Sequence, residues 1–333
     1  MSSSTMRAVR IGADHTISVA EVARPEPAAD EILVAPVAGG ICGTDLHIVK
    51  GEFPQAVFPV VPIHEFAGTV VAAGRNASRI PEGSLVAVDP NIACGECRWC
   101  RVGRPNLCVR LSVIGVTRQG AAAELVAVPA RCAYVIPDTL GAPLGAMIEP
   151  LACVVNATDR AGDLRGRRVL VMGCGVIGLL IAIVSARLGA GETWVSDPAE
   201  AKHALARRVG VANAVPPDAL AGERFDIVFE AAGTPAAARQ VMELLNPTGT
   251  WMQVGVLAPE ATVDLHPFEV FDREIRIIGS NSLADKFPAA VELMPDISQQ
   301  AAQLITRQVS VWDLEAGLDS ARDARSVKTQ LVF

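Results

Sequence analysis

Polar and apolar positions alternate with a period of two over residues 6 to 22, MRAVRIGADHTISVAEV, which predicts two short strands around a turn at Gly12 to His15. A proline-punctuated link, RPEPAADE, leads into another strand, EILVAPVAGGI, that delivers Cys42 to its end. The segment TDLHIVKG fits one or two helical turns closed by Gly51. Strand patterns return in FAGTVVAAG, in the segment after the turn PEGS, and in AAAELVAVPARCAYVIPD. Many short strands punctuated by Pro and Gly predict a β-rich first domain over 1–149, a partly open barrel. Beyond it the pattern changes. An apolar strand within 168–178 runs into the helix LLIAIVSARLGA, and ETWVSD, FDIVFEAAG, GTWMQVGV and EIRIIGSN follow with helical stretches between. That β–α alternation predicts a doubly wound parallel sheet over 150–283, α/β in class. Residues 284–333 hold helical segments and a last strand, VKTQLVF, and the chain shows no internal repeat or low-complexity tract.

Length and composition fit this picture. A chain of 333 residues, half hydrophobic and one-fifth charged, can bury two separate cores. The net charge of −7, from 29 basic and 36 acidic residues, argues against nucleic acid as the main partner. No N-terminal run has the basic-then-apolar form of a signal peptide, and the longest apolar stretch is broken by glycines. The expectation is a cytoplasmic protein without a membrane partner. Eight cysteines in a reducing compartment then point to metal ligation rather than disulfides.

Residues 40 to 70 carry the densest chemistry. Cys42, Thr44, Asp45, His47, His64 and Glu65 gather a thiol, two imidazoles, a hydroxyl and two carboxylates among apolar neighbours. Such a set is costly to bury unless a cation binds it, and Zn²⁺ takes thiolate, imidazole and carboxylate ligands. Alone, the same residues also read as a satisfied core histidine and a surface glutamate beside an inert cysteine. Residues 94–108 are more specific. Cys94, Cys97, Cys100 and Cys108 fall as C-x2-C-x2-C-x7-C, a spacing that wraps one tetrahedral ion and leaves no position for substrate. That makes the lobe a structural site; Arg98, Arg101 and Arg104 keep a nucleic-acid-binding module as the rival use. Glu149 precedes Pro150 at a helix start, either as a capping carboxylate or as an outer, exchangeable ligand of the metal at Cys42 and His64. Cys153, one turn on, reads as packing.

Gly173-x-Gly175-x-x-Gly178 lies in the strand–turn–helix context that binds a dinucleotide. Gly173 permits the turn, Gly175 lets a pyrophosphate approach the backbone, with Val176 and Ile177 opening the helix, and Gly178 lets helix and strand pack closely. Asp197 ends the next strand, where a carboxylate accepts from the ribose hydroxyls and repels a 2′-phosphate. It is followed by Pro198 and Ala199 rather than Arg, so NAD is favoured over NADP. Gly233–Thr234, Val254–Gly255 and Ser280–Asn281 close strands and are expected to line the cofactor crevice.

Together, CGTDLH, HEFAG, the four-cysteine lobe, IEPL, GCGVIG with its downstream Asp, and the terminal VKTQLVF resemble the zinc-dependent medium-chain dehydrogenases along essentially the whole chain. The resemblance is greatest to the polyol and threonine dehydrogenase branch. It implies a GroES-like catalytic domain, resumed after a Rossmann domain by 284–333. It implies Cys42, His64 and Glu65 as catalytic zinc ligands, with Asp45 orienting the ligand histidine. Thr44 and His47 would be the proton relay, and Lys328 a basic residue near the cofactor pyrophosphate. It further implies two zinc ions, NAD, a small-molecule substrate and a homodimer or homotetramer. The family usually has Gly before the HE pair, where this chain has Ile63; if that position needs positive φ, Ile is strained there.

The expected reaction is oxidation of a secondary alcohol of a polyol to a ketone. Zinc would lower the hydroxyl pKa, Thr44 would pass the proton outward towards His47 or water, and hydride would go to NAD⁺. The alternatives are a dehydrogenase of an amino alcohol or cyclitol and, in another class, an NAD- and zinc-binding structural or regulatory protein without turnover. Lys50, Glu52 and Phe53 are the nearest candidates for the substrate wall.

Overall fold

A computed structural model describes residues 4–333; the first three residues of the expected 1–149 domain lie outside them. The chain divides into two compact units. One comprises the chain up to Glu149 together with Phe287–Ser298 and Ile305–Phe333, the other Pro150–Lys286 with Gln299–Leu304.

In the first unit, β1 (Thr5–Ile11) and β2 (Ile17–Ala23) form the expected hairpin, with Arg10 opposite Ser18. Next come β3 (Glu31–Gly40), helix α1 (Gly43–Val49), β4 (Glu65–Ala73), β5 (Leu85–Val88) and the short β6 (Asn91–Ile92). The cysteine lobe carries a single turn, α2 (Arg98–Arg101), before β7 (Ser112–Val113), β8 (Val126–Pro129) and β9 (Ala133–Val135). A short α3 (Gly141–Gly145) precedes α4 (Ile148–Ala161). Inward positions of β3, β4 and β5 place Ile32, Val34, Phe66, Val70, Val86 and Val88 in one buried cluster. This follows from period-two patterning with one face on a core.

The second unit is built on β10 (Arg168–Met172), α5 (Val176–Arg187), β11 (Glu192–Ser196), α6 (Glu200–Arg208) and β12 (Asn213–Val215). Then come β13 (Phe225–Glu230), α7 (Pro235–Leu244), β14 (Leu245–Gln253), α8 (Pro267–Asp272) and β15 (Arg276–Gly279). All pairs are parallel, in the order β12-β11-β10-β13-β14-β15. The order reverses between β10 and β13, and the carboxyl ends of strands at such a point form a binding crevice. Helix α5 is apolar all round and buries Gly178 to Ser185, as a helix packed within an α/β unit must.

After α9 (Phe287–Leu304) the chain adds β16 (Ile305–Ser310), α10 (Leu314–Arg322) and β17 (Lys328–Val332). Strand β17 enters the sheet of the first unit beside β3, with Gln330 opposite Gly40, while β4 flanks β3 on its other side. Three strands far apart in sequence thus end side by side.

Candidate active site

The ends of β3, β4 and β17 set the positions of the reactive side chains. Cys42 is the N-cap residue of α1, and its N–H donates to Asp45 Oδ2 at 2.9 Å. The other carboxylate oxygen of Asp45 accepts from Ile63 N at 3.3 Å. A single buried carboxylate therefore ties the segment bearing Cys42 to the one bearing His64. Cys42, His64 and Glu65 each offer a ligand atom, and these atoms lie within 4.8 Å of one another. A tetrahedral zinc shell spaces its ligands by roughly 3.3–3.8 Å, so modest side-chain adjustment closes the gap. His64 Nδ1 is buried without a hydrogen-bond partner among the described residues; Asp45 Oδ1 is 3.9 Å away. Asp45 therefore meets the histidine mainly through the backbone before it.

Glu65, 2 % exposed in its side chain, is ion-paired with Lys328, itself 1 % exposed. Lys328 Nζ also donates to Ile41 O at 2.9 Å. Lys328 is directed to Glu65 because β17 runs against β3. Gly40 makes this approach possible: a Cβ there would overlap Glu65 Oε2 and crowd Lys328 Cε at 2.7 Å.

Burial, then the charge of Glu65, pushes the Cys42 thiol up to about 12. The same two causes in the same order raise Glu149, in the first turn of α4, to about 8. Asp45 is raised as well, by burial. Protein alone holds these groups poorly as anions, whereas a bound dication reverses that logic and deprotonates a coordinating thiol outright. Sulfur, imidazole and carboxylate donors, an orphaned buried ring nitrogen and acids under strain from burial fit a zinc ion. Glu149 stands outside the three-residue ligand cluster but within its field.

Around that cluster, Thr44 Oγ1 lies 3.7 Å from Cys42 Sγ. His47, in the last turn of α1, is half-exposed and its Nδ1 lies 2.9 Å from Glu52 Oε2. Ile63 is fully buried with φ of +76°, in the left-handed region where a β-branched residue is a genuine outlier.

In the lobe, Cys94, Cys97, Cys100 and Cys108 bring their sulfurs within 4.8 Å of one another, and all eight cysteines are free. Cys97 N donates to Cys94 Sγ at 3.4 Å, and Cys94 N and Arg110 N donate to Cys108 Sγ at 3.3 and 3.4 Å. Backbone N–H groups aimed at sulfur favour thiolates, and Cys94 is lowered to about 5 chiefly by such a bond, from Glu96. The set can hold a second, fully enclosed zinc.

In the other unit, Gly173 has φ of +102°, and a Cβ on Gly178 would overlap Gly173 O. Gly175 faces open space, as the expected approach of a pyrophosphate requires. Val176 and Ile177 form the first turn of α5. Asp197 is buried, its Oδ2 accepting from Cys174 N and its Oδ1 from Ala199 N, both at 2.8 Å. Val254 N and Gly255 N both donate to Glu230 O, and Ser280 Oγ accepts from Asn156 Nδ2 at 3.2 Å. Two features escaped the sequence reading. Lys202 Nζ lies 3.6 Å from Asp197 Oδ2, five residues on where the first turns of α6 bring it back. Glu230 is a fully buried acid behind Gly233. The helical register after Asp197 could have signalled the lysine; nothing local signalled the glutamate.

Residues 28–138 match the Alcohol dehydrogenase GroES-like domain family and residues 176–296 the Zinc-binding dehydrogenase family. D-altritol 5-dehydrogenase of Agrobacterium fabrum is 34% identical over 289 residues, 85% of this chain and 86% of that protein. The chain is a zinc-binding dehydrogenase. L-threonine 3-dehydrogenase of Escherichia fergusonii is 31% identical to the enzyme over 338 residues, covering 97% of this chain and 98% of its own. Among solved structures, a Sinorhizobium meliloti 1021 protein bound to NADP superposes on it with a TM-score of 0.94. It is 36% identical, over 99% of this chain and 100% of that one. An Escherichia coli CFT073 alcohol dehydrogenase complexed with NADH gives a TM-score of 0.93 at 27% identity, over 99% and 100%. The α/β class, with a GroES-like and a Rossmann domain, and membership of the polyol and threonine dehydrogenase branch agree with the expectations from sequence.

Proposed function

We propose that the enzyme oxidises a secondary alcohol of polyol type to a ketone with NAD⁺, using a zinc ion held by Cys42, His64 and Glu65, and carries a second, structural zinc on Cys94, Cys97, Cys100 and Cys108. The observation that carries this reading is the convergence of sulfur, imidazole and carboxylate within 4.8 Å, beside a hydroxyl. Bound there, zinc would polarise the substrate hydroxyl and lower its pKa, and a nicotinamide would accept the hydride. The remaining work falls to side chains. Thr44, 3.7 Å from Cys42 Sγ, is placed to take the hydroxyl proton by hydrogen bond. His47, exposed and 2.9 Å from Glu52, is placed to pass it to water. Lys328 offsets the carboxylate of Glu65 so that the site does not accumulate negative charge. Glu149, which burial and then the charge of Glu65 raise in the protein alone, is a candidate exchangeable ligand once ionised.

Asp197 supports NAD over NADP, while Lys202 beside it tempers the repulsion of a 2′-phosphate. The altritol and threonine enzymes among its relatives support a polyol first and an amino alcohol second. No helix among the described residues is long and apolar enough to cross a membrane, and the eight reduced cysteines suit a cytoplasmic enzyme. The exposed edge strand β15, with Ile277, and the exposed Phe268 and Phe271 of α8 suit a homodimer or homotetramer.

The test is a screen of polyols, cyclitols and amino alcohols with NAD and NADP, on protein of measured zinc content. Turnover that survives Thr44→Val, or that persists in zinc-free protein, would refute the mechanism. Unchanged discrimination against NADP in Asp197→Gly would refute the cofactor choice.

A further inference from the structure

Glu230 closes β13 with no solvent exposure, and among the described residues no lysine, arginine or histidine pairs with it. Its carboxylate is satisfied otherwise. Oε1 accepts from Ala232 N at 2.9 Å and from Gly233 N at 2.8 Å, while Oε2 accepts from Gln253 Nε2 at 2.5 Å. Gln253 is fixed in turn: Trp251 Nε1 donates to its Oε1 at 3.0 Å, and its Nε2 also donates to Gly255 O at 2.7 Å. The backbone oxygen of Glu230 accepts from Val254 N and Gly255 N at 2.9 and 2.7 Å. One residue therefore grips the loop after β13 and the loop after β14.

The first of these loops lies against the glycine turn. A Cβ on Gly173 would stand 3.0 Å from Ala231 O and Ala232 Cα, and Ala231 N donates to Met172 O at 2.9 Å. Gly233, at φ of +65°, packs as closely on Val256, 2.8 Å from its carbonyl oxygen to a Cβ at 233. A shift of either loop would be transmitted to the turn that cradles a pyrophosphate. An anion so deeply placed keeps its geometry only while every acceptor position is filled by a donor.

We propose that Glu230, locked by Gln253, is a positioning residue for the dinucleotide, holding the 231–234 and 253–256 loops against the glycine turn in the binding conformation. This rests on the reading above that the enzyme uses a nicotinamide dinucleotide. Glu230→Gln keeps the shape but sets its new amide against that of Gln253, donor to donor. The exchange Glu230→Gln with Gln253→Glu restores a donor facing an acceptor between the two side chains, at the cost of the bond that Gln253 Nε2 gives Gly255 O.

The experiment titrates NADH and NADPH into zinc-loaded, full-length protein by nicotinamide fluorescence, for the wild type, Glu230→Gln, Glu230→Ala and the exchange. Melting temperature and zinc content are measured alongside. For an alcohol oxidised in the screen, the KM for cofactor and kcat are measured separately. Loss of one charge-assisted bond should raise the Kd for the preferred dinucleotide roughly tenfold in Glu230→Gln, and further in Glu230→Ala. The exchange should recover part of that loss, the bond to Gly255 O staying broken, with kcat at saturating cofactor nearly constant. If Glu230→Ala fails to fold, the isosteric Gln variant and the exchange decide. Wild-type Kd in Glu230→Gln, no recovery in the exchange, or a fall in kcat at unchanged Kd overturns the proposal alone. Wild-type protein that binds neither dinucleotide overturns it together with the reading beneath it.

Discussion

Ile63 puts opposing effects on one residue, and their relative size can be worked out. Its φ of +76° places the Cβ against the following carbonyl, which costs an L-residue about 1–2 kcal/mol. Its side chain is fully buried in the cluster with Ile41, Val61, Phe66 and Ile114. The backbone cannot relax: Ile63 N donates to Asp45, Ile63 O accepts from Ala121 N at 2.9 Å, and Gly115 and Gly120 leave no room beside its carbonyl. Replacing it with Gly relieves the strain but removes a buried side chain worth about 2–5 kcal/mol and adds about 1 kcal/mol of chain entropy. Burial wins, so Ile63→Gly should be destabilised by about 1–5 kcal/mol. The sharper comparison is with Ile63→Ala. At ordinary φ, Ala is more stabilising than Gly by up to ~1 kcal/mol; at positive φ the order inverts. Strain relief of about 1–2 kcal/mol against about 1 kcal/mol of entropy leaves Ile63→Gly level with Ile63→Ala or up to about 1–2 °C higher in melting temperature, measured by circular dichroism on zinc-saturated protein. An Ala variant that keeps the ordinary advantage of about 1 kcal/mol over the Gly variant would show that the left-handed backbone is not a property of this site.

In zinc-free protein, Lys328→Met should leave Glu65 buried without its cation, at a cost of about 3–5 kcal/mol, read as a fall in urea midpoint; an unchanged midpoint would remove the pair from the stability of the fold. Asp89, raised to about 7 by burial, gives a pH signature: between about pH 4 and 7 the folded state holds a proton that the unfolded chain has released. Stability should fall as pH rises through that window, and Asp89→Asn, which can still accept from Asn91 N, should flatten the slope. An equal slope in the variant would assign the effect to another group. Cys100→Ser should lower zinc content from two ions per chain towards one and expose the lobe to proteolysis, and a stoichiometry that stays at two would refute a four-sulfur site.

What could be read from the chain depended on how local each cause was. The glycine turn, the four-cysteine lobe and the place of Cys42 at a strand end are written within a few residues each, and the structure has them. Ile63 was legible as strain through the resemblance, which implies a glycine where this chain has a β-branched residue. Lys328 was not legible in the same way. Its ammonium answers Glu65 and Ile41 O, 287 positions away from the latter, and only the antiparallel pairing of β17 with β3 brings them together. The Glu230–Gln253 bond and Lys202 beside Asp197 likewise depend on strand register and helix phase, which period counting gives only to within a residue or two.

The lysine that neutralises Glu65 stands five residues before the end of a chain of 333. During synthesis the cysteine lobe is complete, sulfur for sulfur, long before β17 has left the ribosome. The Cys42, His64 and Glu65 cluster at that stage lacks its counter-charge and the strand that seals the edge of β3. The cysteine cluster can thus take up an ion while the chain is still emerging, whereas the Cys42, His64 and Glu65 cluster has to wait for β17.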